Sequence, residues 1–430
     1  MECWNGDREC MDREEIAQLQ LERLQSTLHR VYKNVRHYRR TFREIDFMPE
    51  DLHSLEQFRA LPFTDRKVLE ENYPYGMFAV SLREVVRLHT PAINVDHPVV
   101  MGYTENDLGT WAELMARNLA AVGVDRDDVV QISLTFGILT GPFGVQIGAE
   151  RIGASVIPMS SGKYPSQVKI MRDFKTTTLV STPTFALGLI RAMDEMGVDP
   201  KCLSLKYGLF GSEPWSERTR ARIEEKLHVT ATDTYGLAEV FGPGVAWECG
   251  EKAGLHIPED HFFPEIIDPG TGEPLPPGET GELVLTTLTK EAFPLIRYRT
   301  GDITRLDIST CACGRSHCRI ARMNRRSDDV IVMRGTRIPP DQIGRILERE
   351  ARAMPRHQIL VERREDEDYL TVLIEISDQF FFDEMKKQRS FVETLHRRIS
   401  EYLGWEAGVR LVEAGAFDPA VRVADRRDLE

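Results

Sequence analysis

The chain has 430 residues, 41% of them hydrophobic and 29% charged, enough to bury a sizeable core and to form two or three domains. A net charge of -13 without a long basic block excludes non-specific nucleic-acid binding, and no run is apolar enough to span a membrane. Seven cysteines, an odd number at scattered positions, and a charged opening, MECWNGDREC, predict a reduced, cytoplasmic protein without a signal peptide.

Apolar residues recur at helical spacing from Asp12 to Arg43, which predicts one long amphipathic helix buried along Leu19, Leu21, Leu24, Leu28, Val31 and Val35. Asn72-Tyr73-Pro74-Tyr75-Gly76 reads as a turn before a strand at Val85 to His89. A helix is expected over Trp111 to Val122, and the apolar run Asp127 to Leu134 reads as a buried strand. The rhythm then repeats. A helix end from Gly148 runs into a strand at Ser155 to Pro158, Gln167 to Asp173 into Thr178 to Pro183, and Phe185 to Met196 into Leu205 to Phe210. Helices alternating with short apolar strands indicate an α/β fold of parallel sheets flanked by helices. Asp268-Pro269-Gly270-Thr271-Gly272 and Pro276-Pro277-Gly278 mark hairpins of a small β subdomain over about residues 245–325. From about Val330 the pattern is that of a separate α+β domain. Its expected strands are Gln358 to Val361, Tyr369 to Ile376 and Val409 to Glu413, with a helix at Phe391 to Tyr402. The division expected is residues 1–325 and 326–430.

Three constellations carry chemistry. Tyr235-Gly236-Leu237-Ala238-Glu239, before a Gly-Pro-Gly loop, sets an aromatic face, a permissive backbone and one carboxylate together. Tyr235 can cover a planar ring, Gly236 lets a ligand approach, and Glu239 can hold a hard cation such as Mg²⁺. Cys249, His256, Cys311 and Cys313 offer three thiols and an imidazole, a set suited to tetrahedral Zn²⁺ if the fold joins them, with His261, His317 and Cys318 as further candidates. Such a site is structural, because four protein ligands leave no position for water. Gly211-Ser212-Glu213-Pro214 follows a predicted strand, at the carboxyl end where α/β sheets bind ligands.

Together with Tyr298-Arg299-Thr300-Gly301-Asp302 and Arg326-Ser327-Asp328-Asp329, these motifs resemble the phenylacetate-coenzyme A ligases, a branch of the adenylate-forming enzymes, over about Val31 to Arg427. The resemblance implies a large N-terminal domain with a small mobile lid, and use of AMP or ATP with Mg²⁺ and a coenzyme A or phosphopantetheine thiol. It also implies a homodimer and a small aryl or acyl substrate delivered to coenzyme A or an acyl carrier protein. Residue by residue, Gly211, Ser212 and Glu213 would face adenine, Tyr235 and Gly236 would cover it, and Asp302 would accept the ribose hydroxyls. Arg326 would reach ribose or phosphate, and Glu239 and Arg326 would be catalytic. Phe136, Gly137 and Gly141, with Tyr235, would line the aryl pocket. Members of the family carry zinc at positions matching Cys249, His256, Cys311 and Cys313. Arg325 replaces a glycine at the interdomain hinge, which is expected to stiffen it.

Two departures concern one step. Where the family has a glycine- and hydroxyl-rich loop ending in lysine that wraps the triphosphate of ATP, this chain has Pro91-Ala92-Ile93-Asn94-Val95-Asp96-His97-Pro98. β-Branched Ile93 and Val95 resist positive φ, and Asp96 sets a carboxylate where phosphate would sit. The C-terminal tail supplies a lysine in the family, and here that position is Pro419 with no lysine after Lys387. Three lost bonds to a charged phosphate, at about 1.5 to 3 kcal/mol each, amount to roughly three to six orders of magnitude in rate. ATP-dependent acid activation is therefore expected to be impaired. Three functions follow: an acyl-thioester transferase that does not activate the acid, an AMP-forming aryl-acid ligase with an atypical phosphate loop, or a non-catalytic binding or partner subunit.

Overall fold

In a computed structural model of the chain, the described residues are 3–90, 98–323, 325–351, 354–364, 367–376, 385–427 and 429. The expected N-terminal helix is divided in two, Arg13–Asn34 and Arg36–Glu44. Val35 is extended (φ -105°, ψ 114°), ending one helix and beginning the next. The break turns Tyr38 and Phe42 into the core, where Phe42 meets Phe47 edge-on with ring centroids 5.4 Å apart. The buried stripe is also shifted, with Ile16 and Gln20 buried and Leu19 and Leu21 only half-buried. Gln20 is tolerated because its amide donates to the carbonyls of Glu259 and Phe262.

The alternating helices and strands build a sheet of nine strands among the described residues. Its parallel half runs Thr230–Leu237, Tyr207–Gly211, Thr178–Ser181, Val129–Ile132 and Ser155–Ile157. Beyond Thr230–Leu237 the sheet turns antiparallel through Gly242–Glu248, Leu255–His256, Arg319–Ile320 and Leu306–Asp307. Thr104, Thr182 and Ser216 cap the helices Glu105–Ala121, Pro183–Met196 and Glu217–Leu227 with their hydroxyls, which fixes where each helix leaves its loop. A second antiparallel sheet orders Phe262–Ile267, Gly281–Thr287, Tyr298–Thr304 and Arg325–Arg326. Arg325 therefore lies in a strand, opposite Ile303.

A separate hydrophobic cluster, including Ile331, Ile343, Leu347, Val372 and Ile399, holds the C-terminal α+β unit together. There the helices Pro340–Ala351 and Met385–Leu403 accompany the sheet Gly408–Val412, Glu367–Glu375, His357–Arg364 and Val423–Asp425. Pro419 lies in an exposed turn just before the last of these strands. No helix among the described residues is long and apolar enough to cross a membrane.

Candidate active site and metal centre

The carboxyl ends of the parallel strands open into a cleft of about 1370 Å³ whose opposite wall comes from the C-terminal unit. Ser133, Thr182, Ser212 and Tyr235 line it from the large domain, and Arg334 to Arg337 from the small one. Arg334 and Gly335 form the turn between strands Ile331–Met333 and Thr336–Ile338, and Thr336 and Arg337 begin the second strand. An added Cβ on Gly335 would stand 3.6 Å from Thr182 and 3.7 Å from Ser212, so the turn lies close to the large domain, with room for a small side chain between them.

Gly211 has no room for a side chain, since a Cβ would fall 2.1 Å from the carbonyl oxygen of Thr234. Ser212 is left-handed at φ 67°, an unusual conformation for a residue with a Cβ and one that aims the loop into the cleft. Glu213 is buried, and its Oε1 accepts from the Thr184 N–H at 2.6 Å while its Oε2 has no protein partner. Burial raises its carboxyl above the usual range.

The expected Gly-Pro-Gly loop is instead strand, because Gly242, Pro243 and Gly244 lie within Gly242–Glu248, paired back on Thr230–Leu237. The register shifts between Tyr235 and Gly236. A Cβ on Gly236 would sit 1.9 Å from the Gly242 oxygen, so this glycine is required by the hairpin even though it also lines the cleft. Glu239 sits in the tight turn of that hairpin, 1% exposed, with Oε1 unbonded and 3.9 Å from an Arg66 nitrogen. A buried carboxylate oxygen that lines the cleft without a hydrogen bond suits a hard cation. The turn is held from behind by two donors, Tyr103 Oη to the Phe241 carbonyl at 2.8 Å and Lys290 Nζ to the Val240 carbonyl at 2.9 Å.

Asp302 and Arg326 meet side by side on paired strands. Arg326 bonds Asp302 Oδ1, and also Asp328 at 2.6 and 2.9 Å. Tyr235 donates to Asp302 Oδ2 at 2.7 Å, which fixes its ring in the cleft wall; burial raises its hydroxyl well above the ordinary range.

The residues expected to face an aryl group take different places around the cleft. Gly141 lines the cleft beside Leu139, Thr140 and Pro142. Phe136 does not, since its ring is turned edge-on to Phe143 at 5.2 Å, and Gly137 (φ 136°) is exposed beyond the lining. Sequence reasoning also missed Arg66, Lys290 and Arg337, each distant in sequence from the motif it serves. Residues 91–97, which hold the substituted phosphate loop, lie outside the described residues.

The fold does join the four metal candidates. Cys249, His256, Cys311 and Cys313 place their ligand atoms within 4.8 Å of one another. The Cys249–Cys311 sulfur separation is 3.8 Å and Cys313 Sγ lies 3.6 Å from His256 Nε2. Ligand bonds of about 2.0 to 2.3 Å at tetrahedral angles give edges of about 3.5 to 3.8 Å, so the donor set fits one zinc-sized ion. Hydrogen bonds from the Cys249 thiol, His256 and Arg315 hold the Cys313 thiol well below its usual range, as a thiolate ligand requires. His261 is engaged elsewhere, its Nδ1 2.8 Å from Thr289, and Cys318 and His317 pack around Glu259.

These geometries coincide with clear relatives. The AMP-binding enzyme family matches residues 100–288 and the AMP-binding enzyme C-terminal domain residues 335–427. Phenylacetate-coenzyme A ligase of Aromatoleum evansii is 42% identical over 99% of this chain and 98% of its own length. That of Escherichia coli (strain K12) is 40% identical over 97% and 96%. The chain belongs to the phenylacetate-coenzyme A ligase family. It is a ligase-family enzyme with the adenylate-forming fold, handling acyl-CoA chemistry. Among solved structures, a 2-hydroxyisobutyryl-CoA ligase with 2-HIB-AMP and CoA in the thioesterification state is similar with a TM-score of 0.92 at 27% identity, covering 99% of this chain and 93% of that one. An open conformation of that ligase gives a TM-score of 0.72 at 26% identity, covering 97% and 93%.

Proposed function

We propose that this member of the phenylacetate-coenzyme A ligase family moves an aryl or acyl group between coenzyme A and a second thiol, on coenzyme A or on the phosphopantetheine of a carrier protein. Acid activation by ATP is impaired. The observation that carries this reading is the division of losses in the sequence. The triphosphate loop and the tail lysine are replaced by Pro91 to Pro98 and by Pro419, while Tyr235, Glu239, Asp302 and Arg326 remain and converge on one cleft. The likeness of the domain arrangement to a ligase in its thioester-forming state supports the same half of the chemistry.

Exchange between thiols needs no ATP, because one thioester is broken as another forms. The incoming sulfur attacks the acyl carbonyl, the bond to the outgoing sulfur breaks, and the proton of the attacking thiol ends on the leaving thiol. The protein's contribution is to orient the two thiols across the seam and to exclude water. Gly141, Leu139 and Pro142 offer the acyl group an apolar wall, and the turn from Arg334 to Arg337 covers the cleft from the other domain. Adenosine, if AMP is retained as a ligand, meets Gly211 to Glu213 and Tyr235. Mg²⁺ would be held by Glu239 and would neutralise phosphate charge. Zinc at Cys249, His256, Cys311 and Cys313 is structural. The protein acts in the cytoplasm.

A second reading, a working AMP-forming aryl-acid ligase, is favoured by end-to-end identity of 40–42% with phenylacetate-coenzyme A ligases. Two assays separate them. Intact-mass detection of aryl groups passing from coenzyme A to a second pantetheine thiol without ATP supports transfer. Robust carboxylate-dependent exchange of labelled pyrophosphate into ATP, with no such transfer, establishes the ligase instead.

A further inference from the structure

The carboxylate assigned to ribose is already engaged. Asp302 is 6% exposed and has two oxygens, with about four lone-pair positions between them. Arg326 takes one at Oδ1, and Tyr235 takes another at Oδ2. A third donor comes from the other domain, as Arg337 on strand Thr336–Ile338 reaches Oδ2 with its Nη2 at 3.4 Å. A ribose diol presents two hydroxyls and asks for two acceptor positions, while the three protein donors leave about one. Arg326 is itself anchored by Asp328 and by the Thr300 carbonyl at 2.9 Å, and Tyr235 belongs to the cleft wall. Arg337 is the one of the three that the small domain supplies.

We propose that Arg337 is an internal competitor for the nucleoside site, occupying Asp302 when the domains close and thereby setting the enzyme's preference for nucleotide-free thioester chemistry. This rests on the assignment of Asp302 to ribose and goes beyond the proposed transfer activity by naming what holds the cleft closed without a nucleotide. The pairing has two consequences. The buried carboxylate keeps a full set of charged partners when no nucleotide is bound, so closure does not strand it. AMP must displace Arg337 to use both ribose hydroxyls, so AMP binding and this closed arrangement oppose one another.

The test uses the full chain and calorimetric titration with AMP and with 2′,3′-dideoxy-AMP. Arg337→Gln shortens the side chain and removes its charge while leaving strand Thr336–Ile338 and the large domain intact. The expected result is a gain of about tenfold in AMP affinity for Arg337→Gln over wild type, with no gain for the dideoxy nucleotide. Arg337→Lys, which keeps the charge but reaches less far, is expected to fall between. Equal AMP affinity in wild type and Arg337→Gln overturns the proposal, as does an equal gain for the dideoxy nucleotide. Asp302→Asn in the Arg337→Gln background separates the two layers. If it leaves AMP binding unchanged, the ribose assignment fails and takes the proposal with it; if it weakens binding while Arg337→Gln gained nothing, the proposal alone fails.

Discussion

Lys290 is enclosed by protein, its ammonium 4.1 Å from the ring centroid of Tyr103 and 4.7 Å from that of Phe241, behind the turn that carries Glu239. The two rings and the Val240 carbonyl replace part of the water it loses, and Asp107 and Glu239 lie close enough to favour its charge. Burial still dominates and lowers its ammonium from 10.5 to about 7. The sign of the stability effect follows. Between about pH 7 and 10.5 the unfolded chain keeps the proton that the folded chain has released, so this group makes stability rise with pH across that window. Lys290→Met keeps the contact with both rings and cannot titrate. Chemical unfolding at several pH values is expected to show wild type gaining on Lys290→Met by about one to a few kcal/mol from pH 7 to 10. Parallel pH profiles for the two proteins overturn the assignment. Arg326 and Arg337 stand against Asp302, and an Arg66 nitrogen lies 3.9 Å from Glu239.

The metal knuckle shows how far an element depends on partners remote in sequence. His256 sits on a two-residue strand, paired with Trp247 on one side and Arg319 on the other, which is too short to hold its place by ladder bonds alone. Cys311 and Cys313 come from an irregular segment, braced by the Arg315 to Glu9 ion pair and by Ser316 donating to the Glu9 carbonyl at 3.1 Å. A bound ion would join both segments to the sheet. Purified protein is expected to carry about one zinc per chain, and chelation or Cys313→Ser to lower the melting temperature by about 5 to 10 °C. Full-length protein without metal that melts at the same temperature removes the zinc assignment. The donor types were legible in the sequence, but their convergence was not, since Cys249 and Cys311 lie on separate segments that only the antiparallel part of the sheet brings together. The parallel strands were legible to within about two residues because each is a short apolar run, and Thr178–Ser181 and Tyr207–Gly211 also lead into helices capped by Thr182 and Ser216. Long-range geometry was not. The break at Val35 depends on Tyr38 and Phe42 finding the core, the strand identity of Gly242 to Gly244 on pairing with Thr230–Leu237, and the turn of Phe136 on Phe143. Arg337 lies in another domain from Asp302, and no local pattern in the sequence points to it.

At the scale of the molecule, the character of the seam decides what closure costs. Among the described residues, polar contacts across it include Arg191 to Glu367 at 2.8 Å, Arg363 to the Thr219 hydroxyl at 3.4 Å and Arg337 to Asp302, with the Gly335 turn near Thr182 and Ser212. The hydrophobic clusters of the two domains remain separate. A part-exposed ion pair such as Arg191 to Glu367 stabilises by no more than about 1 kcal/mol and is screened by salt. Polar attraction across the seam is therefore modest, and most of it sits at residues that salt can reach. The Arg337 to Asp302 pair is less exposed and so screened less, and it should resist salt while Arg191 to Glu367 yields. Small-angle scattering on the full chain is expected to show a larger radius of gyration at about 0.5 M than at about 0.05 M sodium chloride. Arg191→Ala should open the low-salt state partway. Arg337→Gln should open it further, and the Arg191 to Glu367 pair that remains should keep its radius sensitive to salt. A radius that is the same at both salt concentrations in all three proteins would mean that apolar packing at the Gly335 turn, rather than charge, keeps the lid in place.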